Sequence, residues 1–254
     1  MPPSIPRTIS PGPALRAIDP WLSENQKPGE LKQLLSDAER ARLGSIASIV
    51  RFARGAEIYR AGDPAVAIFN VVSGVVKAFR TARDGSEHIA AFLFPGDVFG
   101  LSTEGRYIHS TKAVTPVTAY EFPFSTLRGV RSNDAGLEFH IIRKLCHELR
   151  QARRHAFLLS QHRALSKLAM FLQMLEQLQA ARGEPTAEIY LPMGRSDIGE
   201  YVGMSLAAVS RGFHTLARRG IISSRGLRHV KIVDRSAFEK LAPDPYGPSP
   251  TTVQ

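Results

Sequence analysis

The sequence predicts an α+β protein with three parts: an N-terminal β-barrel of the jelly-roll type, a long dimerisation helix and a C-terminal winged helix-turn-helix. Three observations support this fold class. From about residue 45 to residue 125, short β-branched and aromatic runs alternate with Gly-Asp and Asp-Gly turns, as in a barrel or sandwich. After Phe124 the hydrophobic period changes from two to three or four. Near Gly203, two short helical patterns flank a glycine.

Length and charge limit the class of protein. With 254 residues and 43% hydrophobic content, the chain can bury the cores of two modest domains and is not wholly disordered. Its formal net charge is +10, and basic residues are concentrated between positions 143 and 167. This charge favours a polyanionic partner such as nucleic acid; the alternative is that the surplus only aids solubility.

Cys146 is the only cysteine, which excludes an intramolecular disulfide and a cysteine-ligated iron–sulfur cluster or zinc ribbon within one chain. Positive charge from Lys144 and His147 favours its thiolate and a redox role, and a buried, inert thiol is the alternative. No segment approaches the roughly 18 apolar residues of a membrane span, and no signal-peptide pattern is present. We therefore expect a cytoplasmic protein without a membrane partner, and we predict no cofactor or metal site.

The N-terminal half is expected to hold the barrel. A Pro-rich arm over residues 1–30 precedes it, and a second Pro-rich tail covers residues 243–254; proline is too frequent there for helices or paired strands. The barrel itself is placed at residues 31–127, with a hairpin at Asp84-Gly85. Strands are expected over residues 58–59, 68–72, 75–81, 88–94 and 117–122.

A dimerisation helix is expected over residues 128–162. Its apolar residues follow alternating steps of three and four, the spacing of a coiled-coil seam. We expect this seam to pair with a second copy of the chain, while packing on the chain's own barrel is the alternative. The seam consists of Ile142, Leu145, Leu149, Ala152, Ala156 and Leu159.

Residues 163–242 carry the winged helix-turn-helix pattern. An amphipathic helix over 166–181 and a short strand over 188–191 lead to it, and a hairpin of residues 221–223 and 230–232 follows as the wing. Ile198, Tyr201 and Val202 form the apolar face of the first helix. Gly203 provides the turn, and Ser205 caps a second helix over residues 206–219.

The second helix of such a motif enters a DNA major groove, so double-stranded DNA is the predicted partner. Arg211 is the first candidate, because an arginine can bond the O6 and N7 atoms of guanine together. On the wing, the residues expected to contact phosphates are Arg225, Arg228, His229 and Lys231. The main predicted DNA-binding residues are Ser205, Leu206, Ala207, Ser210, Arg211, His214, Arg195 and Arg228.

Four segments resemble the CRP/FNR family of bacterial transcription regulators, and the resemblance covers about residues 45–240. They are residues 52–63 (FARGAEIYRAGD), 71–77 (VVSGVVK), 94–100 (FPGDVFG) and 191–211, the last being most similar to the FixK and FNR branch. The resemblance implies a cyclic-nucleotide-binding-like sensor barrel and a homodimer that reads an inverted repeat. It also implies activation of transcription through RNA polymerase.

Departures from the family pattern limit which effector or cofactor this protein could use to sense a signal. Members that bind cyclic AMP carry Glu after the loop glycine and an Arg-Ser or Arg-Thr pair. Here Leu101 follows Gly100, Tyr107 follows Arg106, and no Arg precedes Ser110, so we expect no cyclic nucleotide. The four cluster cysteines of FNR are absent. These departures predict a FixK-like regulator without a bound sensor, linked to low-oxygen or redox control through an upstream system.

Three alternatives stay open. One is a ligand-gated regulator with another effector, and another is a haem-gated one. Against haem, the histidine pairs His140 and His147, and His155 and His162, are expected to be solvated or interfacial side chains. A cupin-like metalloenzyme is the remote third, because the barrel region supplies only His88 and His109 as histidine ligands.

The recognition helix also departs from the family. Ala207 stands where the family usually has Glu, three residues before Ser210. A methyl group cannot accept a hydrogen bond from cytosine N4, so we expect altered or relaxed specificity at that base pair.

Overall fold

The computed structural model describes residues 43–102, 104–127 and 135–243; the side chains of residues 127, 135–144 and 147 lie outside this description. The chain forms two compact units, divided between Lys144 and Leu145. The predicted arm over residues 1–30 and the predicted tail beyond Pro243 fall outside the described residues.

The first unit contains two four-stranded antiparallel sheets, which confirms the predicted barrel of the jelly-roll type. One sheet has the strand order β1-β8-β3-β6 and the other β2-β7-β4-β5. A short helix, α1 (Phe124–Leu127), follows the last strand. The strands are β1 (Ser48–Phe52), β2 (Glu57–Tyr59), β3 (Ala67–Ser73), β4 (Val76–Thr81), β5 (Glu87–Leu93), β6 (Val98–Phe99), β7 (Ser110–Ala113) and β8 (Val117–Pro123).

The barrel core lies between the two sheets. Phe69 and Val71 on β3 point inward, as do Val76 on β4 and Ala119 on β8, and all four are buried. The predicted hairpin between β4 and β5 is confirmed: Thr81 pairs with Glu87, and Gly85 has the positive φ of 84° that this turn requires.

The second unit is a winged helix-turn-helix. Its helices are α2 (Ala135–Ser160), which begins in the first unit, α3 (Ala164–Ala181), α4 (Arg195–Val202), α5 (Leu206–Arg218) and α6 (Arg235–Leu241). A three-stranded sheet of order β10-β11-β9 forms the wing, from β9 (Ile189–Tyr190), β10 (Ile222–Arg225) and β11 (His229–Ile232). Within the described residues, no helix is both long enough and apolar enough to span a membrane.

Helix α3 is the centre of this unit. Leu168, Phe171 and Leu172 on it are fully buried, and the helix packs against α5, α6 and β9. Gln179 then ties the end of α3 to the wing sheet. Its Nε2 donates to the Glu188 carbonyl at 3.1 Å, and its Oε1 accepts from the Tyr190 N–H at 2.8 Å.

Candidate nucleic-acid interface

The turn between α4 and α5 has the geometry that the sequence predicts. Gly203 adopts the left-handed conformation, with φ of 66°, and its N–H bonds to the carbonyl of Gly199. Ser205 begins the next helix, and its Oγ accepts a hydrogen bond from the Ala208 N–H at 3.2 Å. Both predictions, the glycine turn and the serine cap, are confirmed.

The inward face of α5 fixes this helix on α3. Val209, Phe213 and Leu216 are buried, and Gly212 lies between them. A Cβ atom at Gly212 would lie 2.3 Å from Cδ1 of Leu168, so any larger residue at this position would require the Leu168 side chain to move. The position of the outward face is therefore set by packing on the opposite side.

The outward face of α5 carries the predicted DNA-reading residues. Ala207, Arg211 and His214 follow one another at steps of four and three, which places them on one stripe. Arg218 continues this stripe and is also exposed; the sequence analysis missed it, although the same spacing indicates it. No carboxylate occurs on α5, so the stripe is uniformly positive or neutral. The predicted residues that are exposed here are Ser205, Leu206, Ala207, Ser210, Arg211 and His214.

Arg195 begins α4 and is half-buried. Its guanidinium carbon lies 3.4 Å from the centroid of the Phe213 ring, and its Nη1 is buried without a hydrogen-bond partner in the described chain. Burial, together with the nearby charge of Arg228, lowers the pKa of Arg195 to about 10. The side chain is therefore still charged at neutral pH, and two cations face the same region.

The wing holds its cations with carbonyl and carboxylate oxygens. Arg228 donates from Nη1 to the Leu191 carbonyl at 3.0 Å, which ties the hairpin to the segment before α4. Arg225 donates to Glu188 at 2.8 Å, and this hydrogen bond holds the pKa of the Glu188 carboxyl below its usual range. In the DNA-free chain, Glu188 thus partly neutralises the charge of Arg225. Lys231, on the neighbouring strand, is exposed.

The predicted seam lies on α2. The side chains of Leu145, Leu149 and Leu159 are 50%, 52% and 43% exposed. Three exposed leucines on one stripe of a helix form an apolar surface of a kind that is usually buried. Ala152 and Ala156 on the same seam are also exposed, whereas Leu158 is buried. Ile142 belongs to the helix, but its side chain lies outside the described residues.

Two family models match the chain: a cyclic nucleotide-binding domain over residues 49–134 and a Crp-like helix-turn-helix domain over residues 166–241. The nitrogen fixation regulation protein FixK of Azorhizobium caulinodans is 31% identical over 240 residues, which is 92% of this chain and 95% of that protein. The chain belongs to the CRP/FNR family of transcription regulators.

Two further relatives agree with this assignment. The transcriptional activator protein Anr of Pseudomonas aeruginosa is 33% identical over 184 residues, 71% of this chain and 75% of that protein. The solved structure of FixK2 from Bradyrhizobium japonicum is 29% identical and superimposes with a TM-score of 0.72, covering 78% of this chain and 98% of that chain. This CRP/FNR regulator is therefore a FixK-like and Anr-like transcription regulator with a DNA-binding helix-turn-helix.

In the barrel of this CRP/FNR regulator, Arg106 and Tyr107 make contacts within the chain itself. Arg106 donates from Nη1 to the Gly62 carbonyl at 2.6 Å. Tyr107 is buried, its ring stacks on Tyr59 with centroids 3.7 Å apart, and its hydroxyl donates to the Ala67 carbonyl at 3.0 Å. Arg106 and Tyr107 therefore join the segment before β7 to the start of β3 and to the segment before it.

Helix α2 also carries Cys146 and three of the four histidines considered as haem ligands in the sequence, His140, His147 and His155. Cys146 is exposed in this unit, so the alternative of a buried thiol does not describe the single chain. His155, which we expected to be solvated or interfacial, is not simply solvated within one chain. Its ring is half-buried and stacks on Tyr201, with centroids 4.0 Å apart. His162 is exposed as expected, whereas the side chains of His140 and His147 lie outside the described residues.

Proposed function

We propose that this CRP/FNR regulator acts as a homodimer that reads an inverted repeat in double-stranded DNA and activates transcription without a bound cyclic nucleotide. The observation that carries the proposal is the exposed stripe of α5. It places Arg211 beside Ala207 and His214 on the surface opposite the buried face of the recognition helix. A helix that is packed on one side and uncharged or positive on the other fits a major groove.

Arg211 is the proposed reader of a guanine in each half-site. Its side chain is exposed in the DNA-free chain, and Ser210 beside it offers a hydroxyl for a base or phosphate. Ala207 offers only a methyl group, which suits contact with a thymine methyl and not a hydrogen bond to cytosine. The half-site should therefore keep the guanine of FNR-like sites and differ at the base pair that Glu would contact.

Phosphate contacts are proposed for Arg195 at the start of α4, Arg228 on the wing and Arg218 at the end of the stripe. Contacts of this kind fix the position of the protein on DNA and carry no sequence information. The charge of the half-buried Arg195 supports the assignment, because a cation at the start of α4 attracts a phosphate group.

Pairing of two chains is proposed to occur along the exposed seam of α2. The exposed leucines at positions 145, 149 and 159 would be covered by the same residues of a second copy. A two-fold dimer places its recognition helices about one DNA turn apart, roughly 34 Å, and so selects an inverted repeat.

The proposed physiological setting is control by low oxygen or redox state in the cytoplasm, with RNA polymerase as a further partner. The name of a relative from Pasteurella multocida, the anaerobic regulatory protein, supports this setting. The name of Anr, a transcriptional activator, supports activation of transcription. Exposed Cys146 remains the candidate redox residue. We propose a regulatory role without catalytic activity, because the relatives are named as regulators.

Selection from a randomised DNA pool tests the proposal. Purified protein without added effector is expected to enrich a palindrome with one guanine per half-site, and a Cys146→Ser variant should match it in the presence of reductant. Enrichment that depends on reductant for the wild type alone would assign the redox role to Cys146. No enrichment under either condition would reject an effector-independent regulator and redirect the search to a ligand of the barrel.

A further inference from the structure

The end of α4 is held by side chains from two other helices. An α-helix leaves its last carbonyls without partners inside the helix. Here His155 on α2 places Nε2 2.7 Å from the Tyr201 carbonyl oxygen, and Lys167 on α3 donates from Nζ to the Val202 carbonyl at 3.2 Å. Since the carbonyl oxygen accepts, the Nε2 atom of His155 carries the proton.

His155 contacts Tyr201 through ring stacking as well as through this hydrogen bond. Its ring is nearly parallel to that of Tyr201, at 8°, with the centroids 4.0 Å apart. Tyr201 in turn packs against Phe171 on α3, and its hydroxyl donates to the Met174 sulfur at 3.4 Å. His155 therefore joins α2 to the buried centre of the helix-turn-helix.

A second contact lies one helical turn further along α2. A Cβ atom at Gly203 would lie 3.3 Å from Cδ2 of Leu159, so Leu159 sits directly over the turn that joins α4 to α5. Leu159 also belongs to the exposed seam. The helix proposed to pair two chains thus touches the DNA-reading motif at two points, His155 and Leu159.

We propose that His155 is a positioning residue for DNA reading. By donating to the Tyr201 carbonyl it fixes α4, and with it the turn and α5, against the helix that carries the seam. Because two recognition helices must match two half-sites at once, a small freedom of α4 would weaken specific binding more than non-specific binding. This second part rests on the proposed function, whereas the fixing of α4 does not.

Amide hydrogen exchange in the DNA-free, full-length protein tests the first part. The N–H groups of Gly203 and Met204, which bond to the Gly199 carbonyl, report on the end of α4. His155→Phe keeps an aromatic ring on Tyr201 but removes the donor, and we expect exchange at these two amides to rise by about three- to tenfold. His155→Gln restores a donor and should return exchange towards the wild-type rate. His162→Phe is the matched control, since His162 is exposed in the same unit.

Binding to DNA tests the second part with the same variants. His155→Phe is expected to lower affinity for the selected repeat by about three- to tenfold while leaving affinity for random-sequence DNA unchanged. If His155→Phe does not fold, Lys167→Met removes the neighbouring cap and should raise exchange at the same amides. Wild-type exchange in His155→Phe would overturn the proposal, and so would equal losses of specific and non-specific binding. If the wild type selects no repeat, the proposed function fails, but the exchange experiment still decides whether His155 fixes α4.

Discussion

The guanidinium group of Arg195 lies over the ring of Phe213, 3.4 Å from its centroid, and so joins the start of α4 to the buried face of the recognition helix. The contact links the two helices of the motif, because Arg195 begins the first helix and Phe213 lies in the middle of the second. Planar stacking of this kind leaves the edge of the guanidinium able to donate hydrogen bonds.

Replacing Arg195 by leucine separates packing from charge. Leucine keeps apolar contact with Phe213 and removes the cation, so we expect DNA affinity to fall about equally for all sequences. The slope of log affinity against log salt should become shallower by about 0.9, the value for one lost phosphate contact. Arg51→Leu on the barrel, where Arg51 is exposed, controls for the change in net charge. An unchanged salt slope would remove Arg195 from the phosphate contacts.

Replacing Arg211 by alanine tests direct reading of guanine. Loss of a bidentate contact should cost about 1–3 kcal/mol at the selected site and flatten the preference at one base pair of each half-site. Competition binding against every substitution of that base pair measures the change. Undiminished discrimination between G·C and A·T at that base pair would reject the role given to Arg211.

Replacing Ala207 by glutamate should alter specificity without loss of affinity. A carboxylate on the exposed stripe can accept a hydrogen bond from cytosine N4, which a methyl group cannot. We expect the variant to select a C·G pair at the position that is relaxed or different in the wild type, while the guanine beside it is retained. Ala207→Gln, of nearly the same size but without the charge, is the matched control. A half-site that is the same for Ala207→Glu and wild type would show that residue 207 does not face a base.

The elements predicted most accurately from the sequence are those with local signals. The bounds of α5 follow from the glycine at 203, the cap at Ser205 and the apolar steps to Leu216, all of which act within a few residues. The hairpin at Asp84-Gly85 is of the same kind. The family resemblance supports the predicted barrel, because its motifs at residues 52–63, 71–77 and 94–100 mark turns between strands.

Most of the elements and contacts that were not predicted depend on residues far apart in the sequence; helix α6 is the exception. β7 (Ser110–Ala113) is short and largely polar, and it is a strand because β2 and β4 pair with it on both sides. Helix α6 was missed despite a local signal, the Asp234 side chain that accepts from the Ala237 N–H at 2.9 Å. The contact of His155 with Tyr201 joins residues 46 positions apart, and no sequence period announces it.

The titration of His155 predicts how stability depends on pH. Burial lowers the pKa of His155 below its ordinary value, although the hydrogen bond to Tyr201 acts in the opposite direction. Arg154 is the charged group that lines the same cleft. As the pH falls, the unfolded chain takes up the proton first, at about pH 6.5, whereas the folded chain takes it up at a lower pH. The contribution of neutral His155 to the free energy of unfolding is therefore complete above about pH 6.5 and declines below it.

We therefore expect the wild type to lose more unfolding free energy than His155→Phe between about pH 7.5 and about pH 5.5. Denaturant titrations of both proteins at several pH values measure the difference, and the other histidines cancel because they are common to both. Parallel pH dependences for the two proteins would show that His155 titrates normally in the folded chain.

The most direct test of the central claim, a paired regulator that reads two half-sites, is a spacing experiment on the selected repeat. Binding is measured to the intact repeat, to one half-site and to a repeat lengthened by about 5 base pairs, which turns one half-site to the opposite face of the DNA. We expect two chains to bind the intact repeat. On the lengthened repeat, we expect the affinity to fall to that for a single half-site. Equal affinity for the intact and lengthened repeats would contradict the claim, because two recognition helices fixed by one dimer cannot follow half-sites that face opposite sides.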